Sequence, residues 1–170
     1  MARLLGNALA APVVPMDGFH LPNAVLRERG QLDVKGAPET FAAADFVALV
    51  SSLRDTSRVV ACPTFDRTID EPIADRIRVG PGDVAVVVEG NYLLLDRPPW
   101  SSLSAMFDAI AYLDVPDDIR FRRLVDRHVE FGRSRADAEA FVLRSDAVNA
   151  ALVEASRQRA DLIIPHRAHR

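Results

Sequence analysis

The sequence is short of several residue types that whole classes of protein require. Cys62 is the only cysteine among the 170 residues, which excludes both a disulfide framework and a thiolate-rich metal site. No apolar run has the length that crosses a membrane, and no secretory signal peptide is recognisable. A net charge of -3 provides no general basic field for nucleic acid. We therefore expect a soluble cytoplasmic protein that binds neither membranes nor nucleic acid.

Lysine is scarcer than any other charged residue, and this excludes one phosphate-binding motif from the sequence. Lys35 is the only lysine, and Gly36 follows it rather than serine or threonine. The pattern G-x-x-x-x-G-K-[ST], in which backbone N–H groups and a lysine hold nucleotide phosphates, is thus absent from these 170 residues. The overall composition, 49% hydrophobic and 26% charged, is typical of a globular chain. We expect a single domain over residues 1–170.

Short apolar strands alternate with helical segments along the chain. The hydrophobic periodicity predicts strands over residues 12–16, 58–62, 84–88, 109–115 and 161–164. It predicts helices over residues 1–10, 22–29, 43–54, 100–107, 117–131 and 134–159, and a long polar loop over residues 63–76. Such alternation predicts an α/β fold with a doubly wound, mainly parallel sheet flanked by helices.

Asp17 is the first candidate for chemistry, because it follows the apolar run of residues 13–16 and precedes Gly18. This position predicts a carboxylate at the end of a strand, where open parallel sheets bind ligands. Asp17 could act as a general base or near a metal, or it could cap the backbone of a turn. His20 could share a metal with Asp17, but two ligands do not make a site, and a polar pocket or surface residue is favoured.

Glu89 ends the most hydrophobic predicted strand and is followed by Gly90. A carboxylate is costly to bury there unless a cation pairs with it, and Mg²⁺ is the natural partner in phosphoryl-transfer sites. The alternative is a glutamate that caps the next helix.

Arginines cluster on one predicted helix. Arg120, Arg123 and Arg127 have helical spacing that places them on one face, where they could hold a transferring phosphate. Neighbouring carboxylates could instead pair with them on a solvated face, and the helix taken alone favours this alternative. Lys35 and Arg67 lie in predicted loops and Asn149 within a helix, so each could bind a ligand or lie on the surface.

Six short motifs appear in an order that is similar to a known family. They are Asp17-Gly18-Phe19, Arg29-Gly30, Lys-Gly-Ala-Pro-Glu-Thr-Phe at 35–41, Pro-Thr-Phe-Asp-Arg at 63–67, Glu-Gly-Asn-Tyr-Leu-Leu at 89–94 and Leu-Asp-Val-Pro at 113–116. Together they resemble the P-loop kinases that group uridine kinase, phosphoribulokinase and bacterial type I pantothenate kinase. The likeness is strongest to the nucleoside/nucleotide kinase-like branch, which includes fructokinase-like proteins.

The resemblance implies ATP-dependent phosphoryl transfer, with Mg²⁺, to a hydroxyl of a nucleoside, a pantothenate-like compound or a sugar. Asp17 matches the family's catalytic base, and Glu89 matches the carboxylate near Mg²⁺. Arg123 and Arg127 match arginines of a lid, here residues 117–135, that reach the ATP phosphates. The positions that match the acceptor pocket are Lys35, Phe65, Arg67 and Asn149.

The resemblance also implies a strand and phosphate loop that would precede Met1, so we expect an amino-terminally truncated kinase. The missing strand is central in the family's sheet, and unpaired strand edges would favour a homodimer. One alternative is an inactive remnant that binds a metabolite or partner without turnover. A metal-dependent phosphatase with Asp17 as nucleophile is disfavoured, because Pro15 occupies the place of the first of the two aspartates such enzymes use.

Overall fold

The computed structural model describes residues 1–166, and the contacts within the chain divide it into two compact units. The first unit extends from Met1 to Met106, and the second begins at Phe107. Parallel strand pairs and helices occur in both, and the predicted α/β class is confirmed. No helix in the described part of the chain is long and apolar enough to cross a membrane.

The first unit contains three α-helices and four strands among its described residues. In chain order they are α1 (Ala2–Leu9), β1 (Val13–Pro15), α2 (Asn23–Glu28), α3 (Ala43–Ser52), β2 (Val60–Asp66), β3 (Glu71–Val79) and β4 (Val87–Glu89). Short 3₁₀ helices lie at Met16–Phe19, Leu32–Val34, Pro38–Thr40 and Trp100–Met106, where the sequence predicted a helix over residues 100–107. β1 and β4 are parallel neighbours, and Pro15 lies opposite Glu89. The residues that follow these two strands therefore emerge at one edge.

Up to residue 166, the second unit combines one parallel strand pair with three α-helices. Its elements are β5 (Ala111–Asp114), α4 (Asp117–Glu130), α5 (Arg135–Phe141), a π-helical turn (Val142–Asp146), α6 (Ala147–Glu154), a 3₁₀ turn (Arg157–Arg159) and β6 (Leu162–Pro165). Ser134 caps α5, because its hydroxyl oxygen accepts a hydrogen bond from the Asp137 N–H at 3.1 Å. The single helix predicted over residues 134–159 is interrupted by the π-helical turn and by the 3₁₀ turn.

The prediction of a long loop over residues 63–76 is wrong, because most of these residues belong to an antiparallel hairpin. β2 and β3 pair from Val60 opposite Val79 to Asp66 opposite Glu71. The register shifts between Cys62 and Thr64, at the irregularity that contains a proline. In β3 the apolar alternation is broken by charged Asp75, whose φ is +57°, so period-two reasoning did not detect the strand.

The predicted strand over residues 84–88 is displaced toward its carboxyl end. β4 consists of only Val87–Glu89, and Val84 is 94% exposed. The length of β4 is limited by its partner strand, because β1 offers only three residues for pairing. Hydrophobicity alone therefore overestimated this strand.

A cluster of aromatic side chains forms part of the core of the first unit, next to the turn that carries Asp17. Phe46 contacts Phe19 edge-on with ring centroids 5.1 Å apart, and it lies 6.0 Å from Trp100. Tyr92 is fully buried, 5.6 Å from Trp100 and 5.7 Å from Phe41. Tilted and edge-on pairs at these distances are the favoured aromatic geometry. The cluster fixes the 3₁₀ turn Met16–Phe19, which carries Asp17.

Gly18 is required where that turn meets β2. A Cβ atom at this position would lie 2.6 Å from the carbonyl oxygen of Pro63 and 2.7 Å from its carbonyl carbon. Those atoms belong to the backbone of a paired strand and cannot rotate away. The absence of a side chain thus allows the turn and β2 to approach closely.

We expect Gly18→Ala to lower the free energy of unfolding by about 1–3 kcal/mol, because the added methyl group overpacks a backbone contact. Urea denaturation of the purified variant measures the change. Gly82→Ala is the matched control: no atom lies within 4 Å of its added Cβ. It should leave stability unchanged or raise it by less than about 1 kcal/mol. Equal stability of the two variants would contradict the inferred contact.

Candidate active site at the end of the first parallel strand pair

Asp17 lies in the 3₁₀ turn that follows β1 and forms an ion pair with Arg67. The Arg67 Nη2 atom donates to Asp17 Oδ2 at 2.7 Å. The two side chains are 32% and 44% exposed respectively, so the pair is open to ligands. Arg67 belongs to the turn between β2 and β3, and a position predicted to be an isolated loop cation is thus brought against the candidate base.

Glu89 ends β4, next to the strand that leads to Asp17. Desolvation raises the pKa of its carboxyl group, and the negative charge of Asp17 raises it further. Arg67, the amino terminus and Arg3 lower the same pKa by smaller amounts. Because the negative charges of Glu89 and Asp17 repel each other, a divalent cation bound between the two carboxylates would be stabilised.

The donor set fits Mg²⁺ only in the manner in which this ion usually binds enzymes. No group of three or more histidine, cysteine, aspartate or glutamate side chains within residues 1–166 could hold a metal ion. Mg²⁺ commonly uses one or two carboxylates and completes its shell with water and substrate phosphates. Glu89, supported by Asp17, has the chemistry for such a site, whereas a cage made by the protein alone is not formed.

Lys35 is held by three protein acceptors rather than exposed on a loop. Its ammonium donates to Asn23 Oδ1 at 2.6 Å, to the Asp70 carbonyl oxygen at 2.7 Å and to Asp70 Oδ2 at 2.9 Å. Its side chain is 12% exposed, and Nζ lies 4.9 Å from the centroid of the Phe65 ring. The structure thus brings Lys35 and Phe65 together.

His20 lies between aromatic rings close to Asp17, at a position for which the sequence favoured a polar pocket or surface residue. Its ring stacks on Phe41 with centroids 4.1 Å apart and lies 4.8 Å from Phe65. The Nδ1 atom is buried without a hydrogen-bond partner. Burial lowers the pKa of His20 from 6.5 to about 4, against the opposing effect of Asp17. The imidazole is therefore uncharged at neutral pH.

The other three predicted site residues lie in the second unit. Arg123 and Arg127 are exposed on α4, and Arg123 Nη2 lies 2.8 Å from Nε2 of His166. Asn149 is partly exposed on α6. Arg120 pairs with Asp117 at 2.8 Å, which follows the alternative of a solvated, charge-paired face for that residue.

Sequence reasoning missed the residues that hold the pocket in place. Asn23 and Asp70 bind Lys35, and Phe41 stacks on His20. The pairing of Asn23 with Asp70 joins residues 47 positions apart, and no local pattern indicates it. A correct prediction of the β2–β3 hairpin would have placed Asp70 in a turn, and this was the one available signal.

Comparison with known proteins identifies the family. No protein-family model matches the sequence. The chain is 35% identical over 162 residues to "Putative uridine kinase C227.14" of Schizosaccharomyces pombe, covering 89% of this chain and 68% of that protein. It is 36% identical over 160 residues to "ATP-dependent kinase-like protein notR'" of Aspergillus versicolor, covering 88% and 93% respectively. The chain belongs to the family of P-loop kinases that includes these proteins.

A solved structure supports the same family. The "putative fructose transport system kinase" of Silicibacter sp. TM1040 superposes with a TM-score of 0.87 at 43% identity. The match covers 96% of this chain and 79% of that one. The P-loop kinase fold therefore extends over nearly the whole chain.

The buried imidazole of His20 should make the protein sensitive to acid. Below pH 6.5 the unfolded chain takes up a proton that the folded state takes up only near pH 4, so stability is lost as pH falls between these values. We expect His20→Gln to reduce the fall in melting temperature over this range. In the wild type, the His20 ring protons should titrate by NMR with a midpoint near 4. A midpoint at 6.5 would contradict the buried position.

Proposed function

We propose that the protein transfers the γ-phosphoryl group of ATP to a hydroxyl group of a small molecule, with Asp17 as the general base. The observation that carries the proposal is the position of Asp17, ion-paired with Arg67 and next to Glu89, at the end of the β1–β4 pair. Membership of the P-loop kinase family supports the reaction class.

In the proposed reaction, Asp17 accepts the proton of the acceptor hydroxyl while the hydroxyl oxygen bonds to the γ-phosphorus. The bond from that phosphorus to the bridging oxygen breaks, and ADP leaves with the electron pair. A carboxylate must be ionised to act as a base, and Arg67 balances the charge of Asp17 before the acceptor binds. When the acceptor enters, its hydroxyl takes a position within hydrogen-bonding distance of the carboxylate.

The remaining site residues neutralise charge and shape the pocket. Glu89 would hold Mg²⁺, which neutralises negative charge on the phosphates when it is bound. Arg123 and Arg127 are proposed to bind ATP phosphates, since guanidinium groups suit phosphate oxygens. Phe65 and Arg67 are proposed to border the acceptor, and the Lys35 ammonium lies 4.9 Å from the centroid of the Phe65 ring. Asn149 of α6 is proposed as a further acceptor contact.

A second candidate function is binding of the same acceptor without turnover. It is suggested by the sequence, because the 170 residues contain no G-x-x-x-x-G-K-[ST] segment to hold the β- and γ-phosphates. The acceptor pocket of the first unit does not depend on such a segment for its own contacts. Measurement of ADP release decides between the two functions.

We expect ADP formation from ATP and Mg²⁺ in the presence of an acceptor, tested with nucleosides, pantothenate-like compounds and sugars. Asp17→Asn should lower kcat by about 10²–10⁴-fold, which is the usual contribution of a general base. The control Asp45→Asn removes a carboxylate from the exposed surface of α3 and should leave kcat unchanged. Turnover that survives Asp17→Asn would rule out the assigned base. Acceptor binding without any ADP release would favour the second candidate.

A further inference from the structure

We infer that the acceptor is an uncharged hydroxyl compound rather than a carboxylate or a phosphate ester, because both cations of the pocket are already ion-paired with carboxylates of the protein. The inference rests on the proposed function, since it concerns the acceptor pocket beside Asp17. It assigns Lys35 as a positioning residue that holds the β2–β3 turn.

The ammonium group of Lys35 has no donor left for a ligand. An ammonium carries three N–H donors, and three protein oxygens, one of Asn23 and two of Asp70, accept them at 2.6–2.9 Å. Its side chain is also largely buried, which makes release of these bonds costly. A carboxylate or phosphate of the acceptor would have to displace Asp70 to reach it.

The same network fixes the turn that carries Arg67. The Asn23 side-chain amide donates to the Asp70 carbonyl oxygen at 2.9 Å, while its own oxygen accepts from Lys35. Asp70 adopts a φ of +55°, a conformation that needs support from its neighbours. The carboxylate of Glu71 accepts from the Asn23 backbone N–H at 3.1 Å. Lys35 therefore acts on the site through the turn, by keeping Arg67 and Phe65 in place.

The charges around the pocket are balanced before any ligand arrives. His20 experiences two carboxylates, Asp17 and Asp70, and two cations, Lys35 and Arg67. These four groups form two ion pairs, at 2.7 Å and 2.9 Å. His20 itself is uncharged at neutral pH and offers a ligand no positive charge. An anionic group that enters would lose its hydration without gaining an unpaired cation, because it would have to share Arg67 with Asp17, and this disfavours it.

The test compares acceptors that differ in one charge. Calorimetric titration of the wild-type chain of 170 residues uses three matched pairs: pantothenol and pantothenate, uridine and orotidine, glucose and glucuronate. We expect at least one uncharged member to bind about tenfold or more tightly than its charged partner, a difference of roughly 1.4 kcal/mol. Tighter binding of the charged member, or binding of none of the six compounds, would overturn the inference.

Two variants separate positioning by Lys35 from direct binding of an anion. Lys35→Met should weaken the uncharged acceptor about tenfold while the preference for the uncharged member persists. A selective loss of the charged member would instead identify Lys35 as an anion ligand. Arg58→Met, which removes an exposed cation that pairs with Asp55, is the control and should change neither affinity nor preference.

Asp70→Asn provides the complementary test and keeps an oxygen acceptor in the turn, so it does not depend on the folding of Lys35→Met. It leaves the Lys35 charge unbalanced, and the charged member of the pair should gain affinity by about three- to tenfold. No gain would contradict the assigned charge balance.

Failure of the proposed function can be distinguished from failure of this inference. An uncharged acceptor that binds without ADP release refutes the kinase activity but not the inference. Phosphoryl transfer to a charged acceptor refutes the inference but not the kinase.

Discussion

The close approach of Gly18 to the backbone of Pro63 is the contact on which the site depends. It brings the turn after β1 against β2, at the distance where only a residue without Cβ fits. Because β2 continues into the turn that carries Arg67, the same approach allows Arg67 to reach the Asp17 carboxylate. A backbone constraint thus sets the geometry of an electrostatic pair.

The turn after β2 is restrained at both of its ends. Arg67 is tied to Asp17 at one end, and Asp70 is tied to Lys35 and Asn23 at the other. Just before the turn, the Phe65 ring of β2 lies 4.8 Å from the His20 ring, which stacks on Phe41. An arrangement held in this way needs little reorganisation when a ligand binds, and preorganisation of this kind favours both affinity and catalysis.

Local patterns predicted most elements of the fold but not the hairpin of the first unit. Residues 43–54 and 117–131 have clear helical periodicity, and the structure contains helices there. In β3, Asp75 interrupts the apolar alternation, and Pro63 in β2 argues against a regular strand, so the pairing was invisible to period-two reasoning. Non-local hydrogen bonds decided the structure of this segment, and a single sequence does not reveal them.

The sequence by itself determined the fold class and the chemical types available at the site. The apolar runs before Asp17 and Glu89 place both carboxylates at strand ends, because strands of this kind are buried and their ends are not. Only the tertiary structure decided which charge neutralises which. Lys35 lies 35 residues from Asp70, and Arg67 lies 50 residues from Asp17, so nothing in the local sequence links them. Coulomb energy depends on distance in space, and the fold alone sets that distance.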